Sequence, residues 1–157
     1  MTSRNPTPSQ LLLRNQVCHS LYSASNALIR SYRPLLDAMD LTYPQYLVML
    51  SLWEQDGVSI RQISEQCRLD PPTLTPILKR LESKGLIRRG RSSVDERQKV
   101  IEVTPEGLAL RDKAEAVPQR IACLTGMTLE QGRQLRALTE LLHSHLASLE
   151  ASSPAED

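Results

Sequence analysis

The chain has 157 residues, 40% of them hydrophobic, with 19 Lys and Arg against 18 Asp and Glu. This length suits one domain with a real hydrophobic core, and no apolar run approaches the roughly 18 residues of a membrane helix, which excludes a membrane-spanning class of protein. Because Phe is absent and there are only four Tyr and one Trp, the core must be aliphatic, as in helical proteins.

The start of the chain and its cysteines argue against several other classes. Residues 1–8 are polar with two Pro and lack the apolar region of a signal peptide, so we expect a flexible arm on a cytoplasmic protein without a membrane partner. The three Cys are widely spaced without a CxxC motif, and His143 and His145 would point roughly 200° apart on a helix. The sequence predicts no metal site and no cofactor.

The first elements are helical. Apolar spacing predicts a helix from Ser9 to about Arg33, which Pro34 should limit. The residues 42–45, Thr-Tyr-Pro-Gln, form a capping box that begins a second helix ending near Gly57.

Residues 59–104 organise the rest of the chain. A capping box at 59–62 opens a short helix, Asp70 can cap the next helix, and Gly85 can end it. Residues 86–91 and 98–103 then read as strands around a charged loop at 92–97. This order predicts a mainly α fold with a small β-wing, a winged helix-turn-helix.

Charge is concentrated in the same module. Residues 59–104 carry ten Lys and Arg against six Asp and Glu, whereas the rest of the chain carries nine against twelve. A basic patch confined to one motif is typical of a protein that binds double-stranded DNA.

The C-terminal part is again helical. A helix beginning after Thr104 should be kinked by Pro118, and a capping box at 128–131 begins a last helix. That helix carries a stripe of leucines: Leu135, Leu138, Leu142 and Leu149. Residues 151–157 should be a flexible tail.

The terminal helices are too apolar to stand alone beside so small a module. We therefore expect a single domain over 9–150, with a DNA-binding module at 42–104 and dimerisation helices at 9–41 and 105–150. A two-fold homodimer would present two recognition helices, which predicts a pseudo-palindromic operator.

The order of these elements resembles a known family. Residues 74–87, Leu-Thr-Pro-Ile-Leu-Lys-Arg-Leu-Glu-Ser-Lys-Gly-Leu-Ile, and Asp-Glu-Arg at 95–97 resemble the MarR family of bacterial repressors. Residues 18–36, followed by Leu-Thr-Tyr-Pro-Gln-Tyr at 41–46, are similar to its organic hydroperoxide-sensing OhrR group, of the two-cysteine type. The resemblance covers essentially the whole chain.

Roles on DNA follow from position. The hydroxyl and methyl groups of Thr73 and Thr75, near the start of the recognition helix, can meet base edges or phosphates. Basic side chains further along the helix and on the wing can hold phosphates; these are Lys79, Arg80 and Arg91. The resemblance implies that Arg97 enters the minor groove, and Asp95 would orient its guanidinium. Alternatively, these charges only solvate the surface.

Cys18 is a candidate sensor. A lone Cys on a helix is usually a small packing residue, but here all five aromatic residues lie within 32 residues of each other, just after it. They are Tyr22, Tyr32, Tyr43, Tyr46 and Trp53. The resemblance implies that Cys18 reacts with organic hydroperoxides and that Tyr32 and Tyr43 hold its thiolate. Tyr22 lines the pocket or packs in the core.

Spacing constrains this arrangement. On one straight helix Cys18 and Tyr32, 14 residues apart, would be separated by roughly 21 Å, so a contact between them requires the other subunit. The resemblance implies that Cys123 is the resolving thiol, giving an intersubunit disulfide that releases DNA; its alternative role is a buried structural thiol. Cys67 is expected in the core.

The leading interpretation is a non-enzymatic dimeric repressor released from DNA when organic hydroperoxide oxidises Cys18. The nearest alternative is a MarR-type repressor released by a phenolic ligand, with Cys18 a packing residue. A thiol peroxidase is a different class, although no regenerating CxxC is present. A DNA-packaging protein without a switch is a third alternative.

Overall fold

The computed structural model describes residues 8–91 and 98–152. Within them the chain is mainly helical with one two-stranded antiparallel sheet, so the predicted fold class, mainly α with a small β-wing, is confirmed. The elements are α1 (Val17–Asp37), α2 (Tyr43–Glu54), α3 (Ile60–Cys67), α4 (Pro71–Ser83), β1 (Ile87–Arg91), β2 (Lys99–Val103), α5 (Pro105–Ala114), α6 (Val117–Thr125) and α7 (Leu129–Ser152).

Some sequence-based predictions fall outside the described residues. These are residues 1–7 of the predicted arm, residues 153–157 of the predicted tail, and the loop 92–97 with Asp95 and Arg97. The predictions made for them stay predictions.

The first helix begins later than its apolar spacing predicted. Two short 3-10 turns, Ser9–Leu11 and Leu13–Asn15, precede α1. Side-chain amides take up the carbonyls that a helix would have used: Asn15 Nδ2 donates to the Ser9 carbonyl at 2.8 Å. Gln16 Nε2 donates to the Gln10 carbonyl at 2.6 Å. Such bonds compete with the helical ladder, which explains the wrong start at Ser9.

Pro34 and Pro118 do not have the effects on the helices that the sequence predicted. Pro34 lies inside α1, which continues to Asp37 because Leu36 is buried in the last turn and anchors it. Pro118, expected to kink one long helix, instead lies in the first turn of the separate helix α6, where its missing N–H leaves no partner unsatisfied.

The predicted helix starts are confirmed by their caps. Thr42 with Gln45 and Ser59 with Gln62 both form reciprocal capping boxes. Three further helices begin as the sequence indicated, with side-chain acceptors at Asp70, Thr104 and Thr128. Local chemistry therefore determines where these helices begin.

The core formed by elements α1 to β2 is aliphatic, as composition required. Its largest fully buried side chains are Leu36, Val48, Met49, Leu52, Ile63, Leu74, Leu78, Leu81 and Ile101. The strands pair in the register Ile87↔Val103 to Arg91↔Lys99. The Ile101 N–H also donates to the Val58 carbonyl at 2.8 Å, which joins the wing to the segment before α3.

Close backbone contact attaches α5 to the module. Trp53 Nε1 donates to the Gly107 carbonyl at 2.9 Å. A Cβ at Gly107 would lie 2.2 Å from the Leu86 carbonyl oxygen, so only glycine allows this approach. The start of α5 is therefore fixed against both α2 and the wing.

The chain divides into two compact units, Met1–Pro118 and Gln119–Asp157. The first contains α1 to α5; the second contains most of α6 and all of α7. Along α7 the predicted leucine stripe is exposed; Leu138, for example, has 66% of its surface accessible. No helix of the described residues is both long and apolar enough to cross a membrane.

Candidate functional site: a basic winged surface and a tyrosine cluster

The start of α4 is organised by Asp70. Its carboxylate accepts from the Thr73 N–H at 3.2 Å and from the Thr73 hydroxyl at 2.6 Å. The Thr73 hydroxyl bond, opposed by slight desolvation and helped by backbone N–H groups, lowers the pKa of Asp70 below its ordinary value. The first turn of α4 is thus held in one conformation before any ligand arrives.

The two threonines have their hydroxyl protons already committed. Thr75 Oγ1 donates to the Pro71 carbonyl at 2.8 Å, as Thr73 donates to Asp70. Both side chains are exposed. What they present outward is a methyl group and an acceptor oxygen, which suits a thymine methyl or a base amino group.

Four basic side chains of the module have no acidic partner among the residues that the structure describes. Lys79 and Arg80 on α4 and Arg91 on β1 are exposed and form no ion pair within the described part of the chain. Lys99, on β2, is also unpaired there and lies directly opposite Arg91 in the strand register. Like charges in this position repel each other, so a bound anion between them is favourable.

The neighbouring arginines differ. Arg88 pairs with Glu102 at 2.7 Å, and Arg89 pairs with Glu82 at 3.2 Å. Among the described residues, positive charge is therefore neutralised near the base of the hairpin and has no acidic partner at Arg91 and Lys99. The sequence interpretation missed Lys99, although the strand register on either side of the loop places position 99 opposite 91.

The aromatic residues predicted to form a site do cluster in part. The ring centroids of Tyr32 and Tyr43 are 4.9 Å apart, and those of Tyr32 and Tyr46 are 6.0 Å apart. Trp53 extends the cluster, with its ring 6.5 Å from Tyr46. Tyr22 is not part of it and has 69% of its surface exposed. The cluster connects the end of α1 with α2.

Burial keeps these phenols protonated. Burial raises the pKa of Tyr32, and the neighbouring Tyr43 and Tyr46 raise it further. Burial alone raises the pKa of Tyr43. Neither Tyr32 nor Tyr43 uses its hydroxyl in a hydrogen bond to any residue that the structure describes. Two neutral hydroxyl donors are therefore available for a ligand or an anionic group.

Cys18 lies near the start of α1 and is exposed, beside the exposed apolar side chains of Val17 and Tyr22. Because α1 runs unbroken from Val17 to Asp37, Cys18 and Tyr32 of one chain are roughly 21 Å apart along it. The structure does not bring these residues together within one chain.

The other cysteines have different surroundings. Cys123, on α6, is exposed in the single chain. Cys67 is half-buried, its Sγ donates to the Leu47 carbonyl at 3.5 Å, and burial raises the pKa of its thiol. Cys67 therefore packs between α3 and α2, close to the core position expected of it. Among the described residues, no group of three or more His, Cys, Asp or Glu is arranged to hold a metal ion.

The helix-turn-helix, the antiparallel wing and the unpaired basic side chains define a winged helix-turn-helix DNA-binding protein. A family model described as the MarR family matches residues 41–99. The chain is 44% identical to the HTH-type transcriptional regulator TtmR of Methylorubrum extorquens, over 88% of this chain and 73% of that protein. The chain belongs to the MarR family of transcriptional regulators.

Two further relatives are similar over most of their length. The organic hydroperoxide resistance transcriptional regulator of Bacillus subtilis is 42% identical, over 87% of this chain and 91% of that protein. Reduced AbfR of Staphylococcus epidermidis, solved bound to DNA, is 34% identical with a TM-score of 0.68, over 87% of this chain and 94% of that one. The predicted resemblance to the organic hydroperoxide-sensing group is confirmed.

Proposed function

We propose that this regulator is a homodimeric repressor that leaves its operator when an organic hydroperoxide oxidises Cys18. One observation carries the proposal: two neutral tyrosine hydroxyls, of Tyr32 and Tyr43, have no hydrogen-bond partner among the described residues and sit at the end of α1 opposite to Cys18. The B. subtilis relative, named as an organic hydroperoxide resistance regulator, supports the choice of oxidant.

A second copy of the chain supplies the missing geometry. An antiparallel partner helix α1 would bring its own Cys18 towards Tyr32 and Tyr43, across the roughly 21 Å that separate them in one chain. Exposed apolar side chains beside Cys18, such as Val17 and Tyr22, would be covered in the process. Tyr22 would line the pocket, one helical turn from Cys18.

The reaction requires the thiolate. Hydrogen bonds from Tyr32 and Tyr43 favour the ionised sulfur, which attacks one peroxide oxygen. The O–O bond breaks, the departing alkoxide takes up a proton to become an alcohol, and Cys18 becomes a sulfenic acid. The Cys123 thiol of the partner subunit then bonds to the Cys18 sulfur, and the sulfenic hydroxyl leaves as water.

The disulfide would act mechanically on the dimer. It requires the two Cα atoms to lie within about 7 Å of each other, so forming it re-spaces the two recognition helices. This re-spacing would break the contacts of Thr73 and Thr75 with bases and the contacts of basic side chains with phosphates. The basic contacts are those of Lys79, Arg80 and Arg91, together with that of Arg97, oriented by Asp95, which the resemblance to the family implies.

A Cys18→Ser variant tests the sensor. We expect operator binding close to that of the wild type, and no release when cumene hydroperoxide is added in slight excess over protein. Binding is followed by fluorescence anisotropy of a labelled operator duplex. Release of Cys18→Ser at the wild-type concentration of hydroperoxide would falsify the thiol mechanism.

Tyrosine variants test the pocket. Tyr43→Phe removes one hydrogen bond to a charged sulfur, a contribution of about 1.5–3 kcal/mol, and should slow oxidation of Cys18 roughly tenfold or more. Tyr46→Phe is the matched control, because its ring belongs to the same cluster but is not assigned to the thiolate. Stopped-flow loss of free thiol measures both; equal rates for the two variants contradict the assignment.

Cys123 is tested on a non-reducing gel. Hydroperoxide should convert the wild type into a covalent dimer, whereas Cys18→Ser and Cys123→Ser should stay monomeric on the gel. A monomer band from the oxidised wild type removes Cys123 from the mechanism.

A cleft between α2 and α5 favours a second candidate function, release by a phenolic ligand. Tyr46, Leu50 and Trp53 give it an apolar lining, and Arg111 can pair with a phenolate or carboxylate. Three carboxylates also line the cleft and oppose an anionic ligand; these are Glu54, Asp112 and Glu115. Under this function an aromatic acid such as salicylate releases Cys18→Ser and wild type equally, with no oxidant present.

A further inference from the structure

The C-terminal end of the recognition helix is joined to the corner where α2 begins. Lys84 caps α4 and is held in place by the turn that follows it. Gly85 has a positive φ of 71°, and the Leu86 N–H donates back to the Leu81 carbonyl at 3.1 Å. This helix end directs the Lys84 side chain towards the loop between α1 and α2.

Lys84 makes three polar contacts with that corner. Its ammonium group lies 3.0 Å from Asp40 Oδ2, donates to the Asp40 main-chain carbonyl, and donates to Gln45 Oε1 at 3.4 Å. The Asp40 carboxylate is 87% exposed, so the ion pair itself is screened and contributes little. Gln45 is only 2% exposed, and water does not replace its contact.

The same corner positions Tyr43. Gln45 Oε1 also accepts from the Thr42 N–H at 3.1 Å, and Thr42 Oγ1 accepts from the Gln45 N–H at 3.4 Å. Tyr43, the first residue of α2, lies between these two capping residues, with its ring 4.9 Å from Tyr32. A shift of Tyr43 must therefore disturb Gln45, the side chain to which Lys84 donates.

We propose that Lys84 is a positioning residue that couples the Tyr32–Tyr43 pair to the orientation of α4. A change at the thiolate pocket displaces Tyr43 and the capping box, and Lys84 transmits the displacement to the recognition helix of the same chain. All of these contacts lie within the compact unit Met1–Pro118. The proposal rests on the proposed sensor function of Cys18 and adds a route from the pocket to the DNA.

The measured quantity is the ratio of the operator Kd after oxidation by cumene hydroperoxide to the Kd of the reduced protein. In the Lys84→Met variant, which keeps the aliphatic chain and loses the ammonium group, we expect this ratio to fall at least tenfold. The reduced Kd should stay within threefold of the wild type, because Lys84 is at the far end of α4 from its base-contacting turn. Lys113→Met, an exposed cation on α5, should leave the ratio unchanged.

Two further readouts keep the test decisive. Lys84→Gln, which retains a shorter donor, replaces Lys84→Met if the latter does not fold, with the same criterion. The salt dependence of reduced binding identifies a direct phosphate contact, since losing one from each subunit of the homodimer lowers the slope of log K against log salt by about 1.8. A loss of that size in Lys84→Met overturns the proposal by making Lys84 a DNA ligand.

The remaining outcomes distinguish the coupling role of Lys84 from the sensor function of Cys18. If Lys84→Met keeps the wild-type ratio while Cys18→Ser has a ratio of one, Lys84 has only a structural role and the sensor function stands. If the wild-type ratio is itself one, the sensor function fails, and the coupling falls with it.

Discussion

Helices α4 and α7 carry leucines at the same helical spacing, but those of α4 are buried and those of α7 are exposed. The leucines of α4, at 74, 78 and 81, are fully buried within one chain. Those of α7, at 135, 138, 142 and 149, are all exposed. The difference shows that periodicity determines which face of a helix is apolar, but not what covers that face. The winged module finds its partner surfaces within the chain, whereas α7 requires another surface.

The largest effect is expected from placing charged residues on the exposed leucine face of α7. The double variant Leu138→Glu and Leu142→Glu should abolish the dimer, because four carboxylates would be buried in the interface. Losing one of two linked binding sites weakens operator binding by roughly 10²–10⁴. Sedimentation equilibrium and operator anisotropy measure the two losses. The double variant Arg133→Glu and Arg136→Glu, at exposed positions of the same helix, is the control for added negative charge. If the dimer survives the two leucine substitutions, α7 is not the interface.

The matching change in α4 should act on folding. Leu78→Ala removes a fully buried side chain and should lower the free energy of unfolding by about 2–5 kcal/mol, measured by urea denaturation. Ile77→Ala, half-exposed on the same helix, should cost clearly less. Equal losses at both positions would contradict the contrast between covered and uncovered apolar faces.

A smaller effect is expected at the wing. Lys99→Ala should reduce the slope of log K against log salt for operator binding by about 1.8, because one phosphate contact is lost from each subunit of the bound homodimer. Arg91→Ala, the residue opposite, should behave alike. Arg88→Ala is the control, since Arg88 is already paired with Glu102; a slope change as large as that of Lys99→Ala would show that pairing does not decide which wing cations bind DNA.

The smallest effect concerns the cap of α4 and its dependence on pH. Since the folded-state pKa of Asp70 is lowered, the stability that its carboxylate contributes is present at neutral pH and is lost as the pH falls through the folded pKa. Asp70→Ala should therefore melt at a lower temperature than the wild type at pH 7, with the difference narrowing below about pH 4.

Asp112→Ala removes an exposed carboxylate of α5 that has no hydrogen-bond partner among the described residues. Its melting temperature should follow the wild type at every pH. A constant gap between Asp70→Ala and wild type from pH 7 to pH 3 would rule out the titration of Asp70 as the cause.

Much of the fold was predictable because its signals are local. The capping boxes at Thr42 and Ser59 and the cap at Asp70 act over three or four residues, so the sequence alone indicates them. The proline positions were not predictable in the same way. Pro34 is tolerated inside α1 because Leu36 is buried beyond it, a contact that no local pattern contains.

The candidate site, too, was predictable only in part from the sequence. Sequence similarity and clustering pointed to Cys18, Tyr32 and Tyr43. Whether the two tyrosine hydroxyls have a hydrogen-bond partner among the described residues depends on how α1 packs against α2. The role of Lys99 depends on strand register, and that of Lys84 on a contact 44 residues away along the chain.

By itself, the sequence determined the winged helix-turn-helix, the starts of the capped helices and the aliphatic core. These follow from periodicity, capping and side-chain volume, which act within a few residues of each position. The MarR family was indicated separately, by the resemblance of residues 18–36, 41–46, 74–87 and 95–97 to that family. Only the tertiary structure decided that Pro34 is tolerated inside α1, which cations lack an acidic partner among the described residues, and that Lys84 contacts the corner before Tyr43. Those features depend on packing between distant segments, where a contact is selected by competition among many surfaces.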